Sequence, residues 1–341
     1  MKLLVVGLGS MGRRRLRNLT YLGGQELAGV EPRGDRAATV AGEFDIPIFP
    51  TVEQAMGWAP EALVISTPPD RHTEYALAAA RAGLPFFTEA SVVSNGMEEL
   101  IAEVQSRGGM AAPSCTMRFH PAVQTLRERL MGGAIGRPLG IVHHVGQYLP
   151  DWHPWEDYRT FYVSRRETGA AREIVPFELN WLVHVFGNVE ALTCIRGKAS
   201  TLDADIDDIY ASALLFEGGV HCSLVVEVLS RPGIRLSRVI GEEGTLIWDW
   251  EARAVREYHA GSDRWADFPD PPPIEGPSGS WVSENMYIEE MRAFLLAASG
   301  EASFQSSLEE DLYLLRLLEA LEASSDRVLE AGNLPRAPTR A

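Results

Sequence analysis

Met1-Lys2-Leu3-Leu4-Val5-Val6-Gly7-Leu8-Gly9-Ser10-Met11-Gly12 opens the chain, and its reading decides the fold. The run before Gly7 is short, apolar and β-branched, as a buried parallel strand requires. The glycines that follow have the spacing Gly-x-Gly-x-x-Gly. Gly7 permits a tight turn, Gly9 lets backbone approach a pyrophosphate, and Gly12 lets the next helix pack on the strand. That helix, expected from Arg13 to Leu22, starts with free amides and a partial positive charge. Both suit Ser10 and Met11 to phosphate oxygens. Glu31 closes the next apolar run, Leu27-Ala28-Gly29-Val30. A carboxylate there accepts hydrogen bonds from the adenosine ribose and repels a 2′-phosphate, so NAD is expected and NADP is disfavoured. Arg33 and Arg36 stand close enough to blur that preference.

A chain of 341 residues exceeds one ordinary core and points to two domains. With 45% hydrophobic residues it is expected to be globular and soluble. A net charge of −16 argues against nucleic-acid or anionic-membrane partners, which need a basic face. The run Arg13-Arg14-Arg15…Arg17 is expected to be a solvated helix face, although its first members sit near the expected pyrophosphate. Cys115, Cys194 and Cys222 show neither metal spacing nor a disulfide framework, so reduced thiols in a cytoplasmic protein are expected. The apolar start is itself the first strand, so no separate leader is expected. No apolar run reaches membrane-spanning length.

To about Met117, short apolar runs alternate with helical stretches, as a doubly wound parallel sheet requires. Ala62–Ser66, Pro85–Thr88 and Met110–Cys115 read as further strands, and His72–Ala82 and Met97–Arg107 as helices. The strand ends at Ser66-Thr67-Pro68 and Thr88-Glu89-Ala90 should open on the ligand edge. A helix is expected over Pro121–Met131, and then the character changes. Leu139–Tyr148, Ala191–Lys198, Ile209–Phe216, Val220–Val228, Leu236–Ile240 and Thr245–Trp248 read as one large, mainly antiparallel sheet, interrupted by a helix from about Val175 to Val185. Pro269–Pro277 reads as a surface loop. Helices Ser283–Ala298 and Ser307–Ser324 close the chain.

Several stretches together resemble the Gfo/Idh/MocA family, named after glucose–fructose oxidoreductase and inositol 2-dehydrogenase. They are Gly7–Arg14, Ser66-Thr67-Pro68-Pro69-Asp70-Arg71-His72, Arg118-Phe119-His120-Pro121, Gly136-Arg137-Pro138 and Ile240-Gly241-Glu242-Glu243-Gly244-Thr245. The resemblance implies an α/β fold with a Rossmann domain over residues 1–118. It also implies an α+β substrate domain over residues 119–341, whose open-faced sheet commonly serves homo-oligomer contacts. It further implies a nicotinamide cofactor acting at a carbinol carbon of a sugar or cyclitol. Thr67, Pro68, His72 and Glu89 would lie beside the cofactor, and Arg118 and Asn180 beside the substrate.

The catalytic positions depart from that pattern. Where the family carries Glu-Lys-Pro, this chain has Glu89-Ala90-Ser91, and alanine does no acid–base work. Where the family carries Asp, then His, then Asp on one helix, this chain has Glu173, Phe177 and Asn180. Glu173 is therefore one candidate acid or base. The segment Asp151–Arg159 offers others: Trp152 for stacking on a sugar face, and His153 or Tyr158 as acid or base, unless it is only a packed aromatic loop. Arg159, Tyr162, Arg165, Arg166 and Arg172 are either solvated or hold an anionic substrate such as a sugar acid. His143 and His144 are adjacent in a strand, point to opposite faces and cannot form a metal pair. No His/Cys/Asp/Glu cluster has metal spacing, and no metal is expected.

Three functions remain open at this point. One is an NAD-dependent oxidoreductase with relocated acid–base residues. Another is an enzyme that retains NAD and uses transient oxidation for elimination, epimerisation or glycoside cleavage. The last is a silent nucleotide-binding sensor or partner subunit.

Overall fold

The computed structural model describes residues 1–272, 274 and 284–326. The expected loop Pro269–Pro277 lies partly outside these residues, as does Ser283, the expected start of the penultimate helix.

The first sheet has six strands: β1 (Lys2–Val6), β2 (Glu26–Val30), β3 (Ile48–Phe49), β4 (Ala62–Ile65), β5 (Phe86–Thr88) and β6 (Ala111–Pro113). All pairings are parallel, in the order β3-β2-β1-β4-β5-β6. The order reverses between β1 and β4, which places a ligand crevice at their carboxyl ends. Val6 pairs with both Val30 and Ile65, so Gly7, Glu31 and Ser66 emerge together at that crevice. The connecting helices are α1 (Ser10–Leu22), α2 (Gly34–Phe44), the short α3 (Val52–Ala55), α4 (His72–Arg81) and α5 (Met97–Arg107). Alternation along β1 splits the core in two. Leu3 and Val5 pack with Leu16 and Leu19 of α1, whereas Leu4 and Val6 pack with Ala76 and Leu100. Each such buried side chain contributes about 1.5–3 kcal/mol.

The helix α6 (Pro121–Met131) leads into a second sheet formed by β7 (Pro138–Gly146), β8 (Val189–Gly197), β9 (Ile209–Phe216), β10 (Val220–Glu227), β11 (Ile234–Gly241), β12 (Gly244–Asp249), β13 (Ala254–His259) and β14 (Arg264–Pro269). Its order is β14-β13-β12-β11-β7-β10-β9-β8. Only β7 and β10 pair in parallel, so the sheet is mainly antiparallel, as expected. The hairpin β13–β14 was not among the expected strands. Most of β14 is exposed at the sheet edge, so it lacks the apolar alternation that marks a half-buried strand. The helix α7 (Ala171–Phe186) covers one face with Val175, Leu179, Trp181 and Leu182. The opposite face leaves Val142, Ile195, Leu236 and Ile240 exposed.

The last helices, α8 (Glu284–Ala298) and α9 (Leu308–Ser325), return to the first sheet. Met291 and Phe294 join the Leu3–Val5 core, and Leu308 and Leu315 join the Leu4–Val6 core. No described helix is long and apolar enough to cross a membrane.

Candidate active-site cleft

The glycines of the opening turn divide into two kinds. A Cβ on Gly12 would lie 1.9 Å from the Gly7 carbonyl oxygen, and Gly7, with φ +87°, would meet the Ser66 carbonyl oxygen at 2.8 Å. These two serve close packing and the turn itself. Gly9 is different: its Cβ direction is open except for Arg36 Nη1 at 3.8 Å. It is also the N-cap of α1, and no side chain caps it. The first-turn amides at Ser10 and Met11 are therefore bare toward the crevice, as a pyrophosphate site requires. Glu31 is fixed beside them. It accepts from the Leu8 amide at 3.2 Å and the Arg33 amide at 3.0 Å, with Arg36 Nη1 at 3.3 Å. The residues present fit a dinucleotide.

From this turn a cleft of about 430 Å³ runs between the two sheets. Gly7, Gly9, Ser10, Met11, Thr67, Pro68 and His72 line its nucleotide end. Ala90, Ser114, Thr116, Glu173, Ile174 and Phe177 line the other. His72 is buried and donates Nε2–H to the Thr67 carbonyl at 2.8 Å, while burial lowers its pKa and keeps the ring neutral. Trp152 and His153 close the cleft from the loop after β7, and His153 stacks between Trp155 and Phe161.

Glu173 stands in the first turn of α7. Its Oε1 accepts the Tyr162 hydroxyl at 2.9 Å, and its Oε2 is buried without a partner. Burial pushes the carboxyl up to about 7, against the Tyr162 hydrogen bond and with help from the charge of Glu89. The backbone before this helix is strained: Ala170 has φ +55°, and a Cβ on Gly169 would collide with the Val163 carbonyl at 2.1 Å. The loop carrying Tyr162 and the helix carrying Glu173 are thereby locked together.

The remaining sequence candidates lie elsewhere. The Tyr158 hydroxyl accepts from the Asp203 amide at 3.1 Å, outside the cleft lining. Arg159 is exposed and pairs with Asp157 and Asp203. Arg165 pairs with Asp70, Arg166 with Asp205 and Asp207, and Arg172 with Glu322. This positive charge is already neutralised and does not face the cleft. Arg118 is buried; it donates to Asn180 Oδ1 at 2.8 Å and to the Gln305 carbonyl at 2.6 Å, and pairs with Glu310. His143 and His144 do face opposite ways, one toward Glu178 and the other toward Glu227. Among the described residues no cluster could hold a metal ion.

The expectation of a solvated arginine face on α1 is overturned at Arg15. Its side chain is fully buried, with Nε and Nη2 donating to the two oxygens of Glu89 at 2.7 and 2.8 Å. Its Nη2 also lies 2.9 Å from Glu290 Oε2 on α8. Glu89 thus lines the cleft from the middle of a buried ion cluster. Arg14, one of the first members of that run, lines the cleft, pairs with Glu284 and packs over Tyr287. Both depend on α8 folding back to α1, and no local pattern in the arginine run reports that.

Glu178, five positions after Glu173, is not in the cleft. It is fully buried and accepts from His143 Nε2 at 2.9 Å, Trp181 Nε1 at 2.7 Å and Arg235 Nη2 at 2.6 Å. Burial alone would raise its pKa; Arg235 and His143 overcome it and hold the carboxyl at about 2.

Comparisons with known proteins agree with this architecture. Residues 1–112 match the oxidoreductase family NAD-binding Rossmann fold, and residues 123–247 match the GFO/IDH/MocA C-terminal domain. The chain is 25% identical over 293 residues to inositol 2-dehydrogenase 3 of Saccharopolyspora erythraea, covering 77% of this chain and 83% of that one. It is 25% identical over 309 residues to inositol 2-dehydrogenase of Pseudomonas savastanoi, covering 82% and 89%. An Agrobacterium radiobacter oxidoreductase, solved with NAD+, L-tartaric acid and magnesium, superposes with a TM-score of 0.84 at 15% identity. That match covers 96% of each chain. With the dinucleotide turn, the switch-point crevice and the open-faced second sheet in place, the chain belongs to the Gfo/Idh/MocA family of NAD-binding oxidoreductases.

Proposed function

We propose that this protein is an NAD-dependent dehydrogenase that oxidises a carbinol carbon of a sugar-like or cyclic polyol substrate, with Glu173 as its proton acceptor. Residues 1–118 form the cofactor side and the second sheet with α7 the substrate side, while α8 and α9 pack back on the first sheet. The observation that carries the reading is the free Oε2 of Glu173, held in the cleft by the Tyr162 hydroxyl on Oε1. The bound nicotinamide supplies the hydride acceptor. Gly9, Ser10 and Met11 would hold its pyrophosphate, and Glu31 its adenosine ribose. Glu31 supports NAD over NADP.

Glu173, when ionised, takes the substrate hydroxyl proton at Oε2. A carboxyl raised to about 7 has both protonation states populated near neutral pH, as a general base requires. Tyr162 keeps the acceptor oriented. Ile174 and Phe177 exclude water beside the reacting carbon, and Trp152 offers a face for a sugar ring. The arrangement replaces the lysine and histidine absent at positions 90 and 177. It also weighs against a silent sensor, which has no use for a raised carboxyl in its cleft.

The test is reduction of NAD+ with a panel of cyclic polyols and sugars, followed by absorbance of the reduced nicotinamide. Glu173→Gln should lower kcat by about 10²–10⁴-fold while leaving NADH affinity intact. Turnover that survives this substitution, or no hydride transfer with any panel member, would overturn the reading.

A further inference from the structure

The electrostatics of the reacting end point away from an anionic substrate. Three acids line the cleft, Glu89, Glu156 and Glu173, against the arginines Arg14 and Arg36. Arg14 is paired with Glu284, Arg36 with Glu31, and Glu89 with Arg15. What remains uncompensated beside Ala90 and Phe177 is Glu173, with one carboxyl oxygen free.

A second carboxyl lies behind it. Asp311 on α9 is 4% exposed, and its Oδ2 has no hydrogen-bond partner. It borders a small void whose walls include Ala90, Ser91, Ser114, Thr116, Phe177 and Asn180. Ala90, Ser114, Thr116 and Phe177 are shared with the main cleft, so the void, with room for about one water-sized group at about 10 Å³, is a recess adjoining the cleft floor. Burial raises Asp311 to about 6, with Ser91 as its hydrogen-bonding neighbour. Both orphan oxygens are acceptors, and a buried acceptor without a donor costs free energy. Arg118, also near this recess, is committed to Asn180, Gln305 and Glu310. Among the described residues, no lysine lines the cleft or the recess.

We propose that the substrate supplies the missing cation: the carbinol oxidised at Glu173 belongs to an amino-substituted sugar or cyclitol, whose ammonium group sits past Ala90 against Asp311. The small side chain at position 90 opens the recess. An ammonium donates up to three hydrogen bonds, matching the orphan oxygen of Asp311 and the neighbouring hydroxyl of Ser114. A neutral polyol leaves the Asp311 carboxylate without a counter-charge. The carbinol step itself is unchanged: the C–H hydrogen leaves as hydride to the cofactor, the O–H proton goes to Glu173, and a carbonyl forms. This inference rests on the dehydrogenase reading above.

The test uses scyllo-inositol and scyllo-inosamine, its amino-deoxy analogue, as probes. Affinity is measured by thermal shift in the presence of NAD+, independently of turnover. The wild-type protein should bind the amine about tenfold or more tightly than the polyol, the size expected for one charged hydrogen bond. Asp311→Asn should bring the two within about threefold without changing NAD+ affinity. Ala90→Lys fills the recess with the chain's own ammonium and should likewise erase the preference for the amine. Equal or tighter binding of scyllo-inositol by the wild type overturns the inference, as does a preference that survives Asp311→Asn or the binding of neither probe. If the amine binds tightly yet no panel member reduces NAD+, the cation seat stands and the dehydrogenase reading falls. If neutral polyols alone are bound and oxidised, the reverse holds.

Discussion

Tyr162 and Glu173 meet across 2.9 Å, hydroxyl to carboxylate, and leave one carboxyl oxygen of Glu173 buried without a hydrogen-bond partner. The pair joins two separate elements, the loop after β7 and the first turn of α7, so the geometry of the acid is set by tertiary packing. Removing the hydroxyl should alter the acid without removing it. Tyr162→Phe is expected to raise the pKa of Glu173 further, because it deletes the hydrogen bond that favours ionisation. The acid limb of the kcat/KM profile should move to higher pH, with a modest loss of maximal rate. A profile that does not move would show that the pair does not control the proton transfer.

The same carboxyl makes stability depend on pH. Its folded pKa of about 7 lies above the 4.5 of an unperturbed glutamate, so the folded state holds a proton that the unfolded state releases. This contribution is fully present below about pH 4.5 and is lost as pH rises through about 7. Glu173→Gln, neutral at every pH, should flatten that part of the Tm-against-pH curve. Thermal denaturation from pH 5 to 8 checks it, and parallel curves for the two proteins would contradict it.

Cofactor choice turns on Glu31, whose carboxylate stands 3.3 Å from Arg36. With the carboxylate gone, Arg36 loses its partner at the ribose edge, while Arg33 stays paired with Asp35. Glu31→Ser should weaken NADH binding and strengthen NADPH binding, shifting the ratio of dissociation constants by about tenfold or more toward NADPH. Nucleotide fluorescence titration reads both constants. An unchanged ratio would mean that Glu31 does not reach the ribose.

Much of this fold is written locally. The strand Lys2–Val6, the glycine turn and helices such as Met97–Arg107 and Pro121–Met131 follow from runs of residues adjacent in the chain. The edge hairpin β13–β14 escaped because an exposed edge strand has little apolar alternation to display. Within the site, Gly9, Glu31, Trp152, Tyr162 and Glu173 could each be picked out from residue type and position. Their pairing could not. The Tyr162–Glu173 bond depends on how a loop folds onto a helix, and the burial of Arg15 depends on Glu290 arriving from α8. Asp311 was illegible for the same reason: on α9 it follows two other acids in a first turn, Glu309 and Glu310, and only packing shows that it alone is buried.

The buried contacts of Glu178 should matter for stability far more than for chemistry. Its carboxylate gathers His143, Trp181 and Arg235 between α7 and the second sheet, outside the cleft lining. Glu178→Ala would leave the Arg235 guanidinium partly buried and unpaired, at a cost of about 3–5 kcal/mol. The expected result is a large fall in Tm, with any protein that stays folded retaining NADH affinity. A Tm within a degree of wild type would mean that water replaces the carboxylate at no cost.

The open face of the second sheet carries the last prediction. Val142, Leu236 and Ile240 lie on the neighbouring strands β7 and β11, and Ile195 lies toward the β8 edge, all exposed on the face that α7 does not cover. Apolar residues spread over a flat sheet bury area efficiently against a second copy of the same face, because a two-fold axis brings each patch onto itself. We propose this face as a homo-oligomer contact. A charge at the patch centre should break it without unfolding the protomer, since these side chains are already solvated. Leu236→Arg is expected to halve the mass measured by light scattering or sedimentation while leaving Tm at low concentration nearly unchanged. If the wild type is itself a monomer at micromolar concentration, or if the substitution leaves its mass intact, the sheet is not the contact surface.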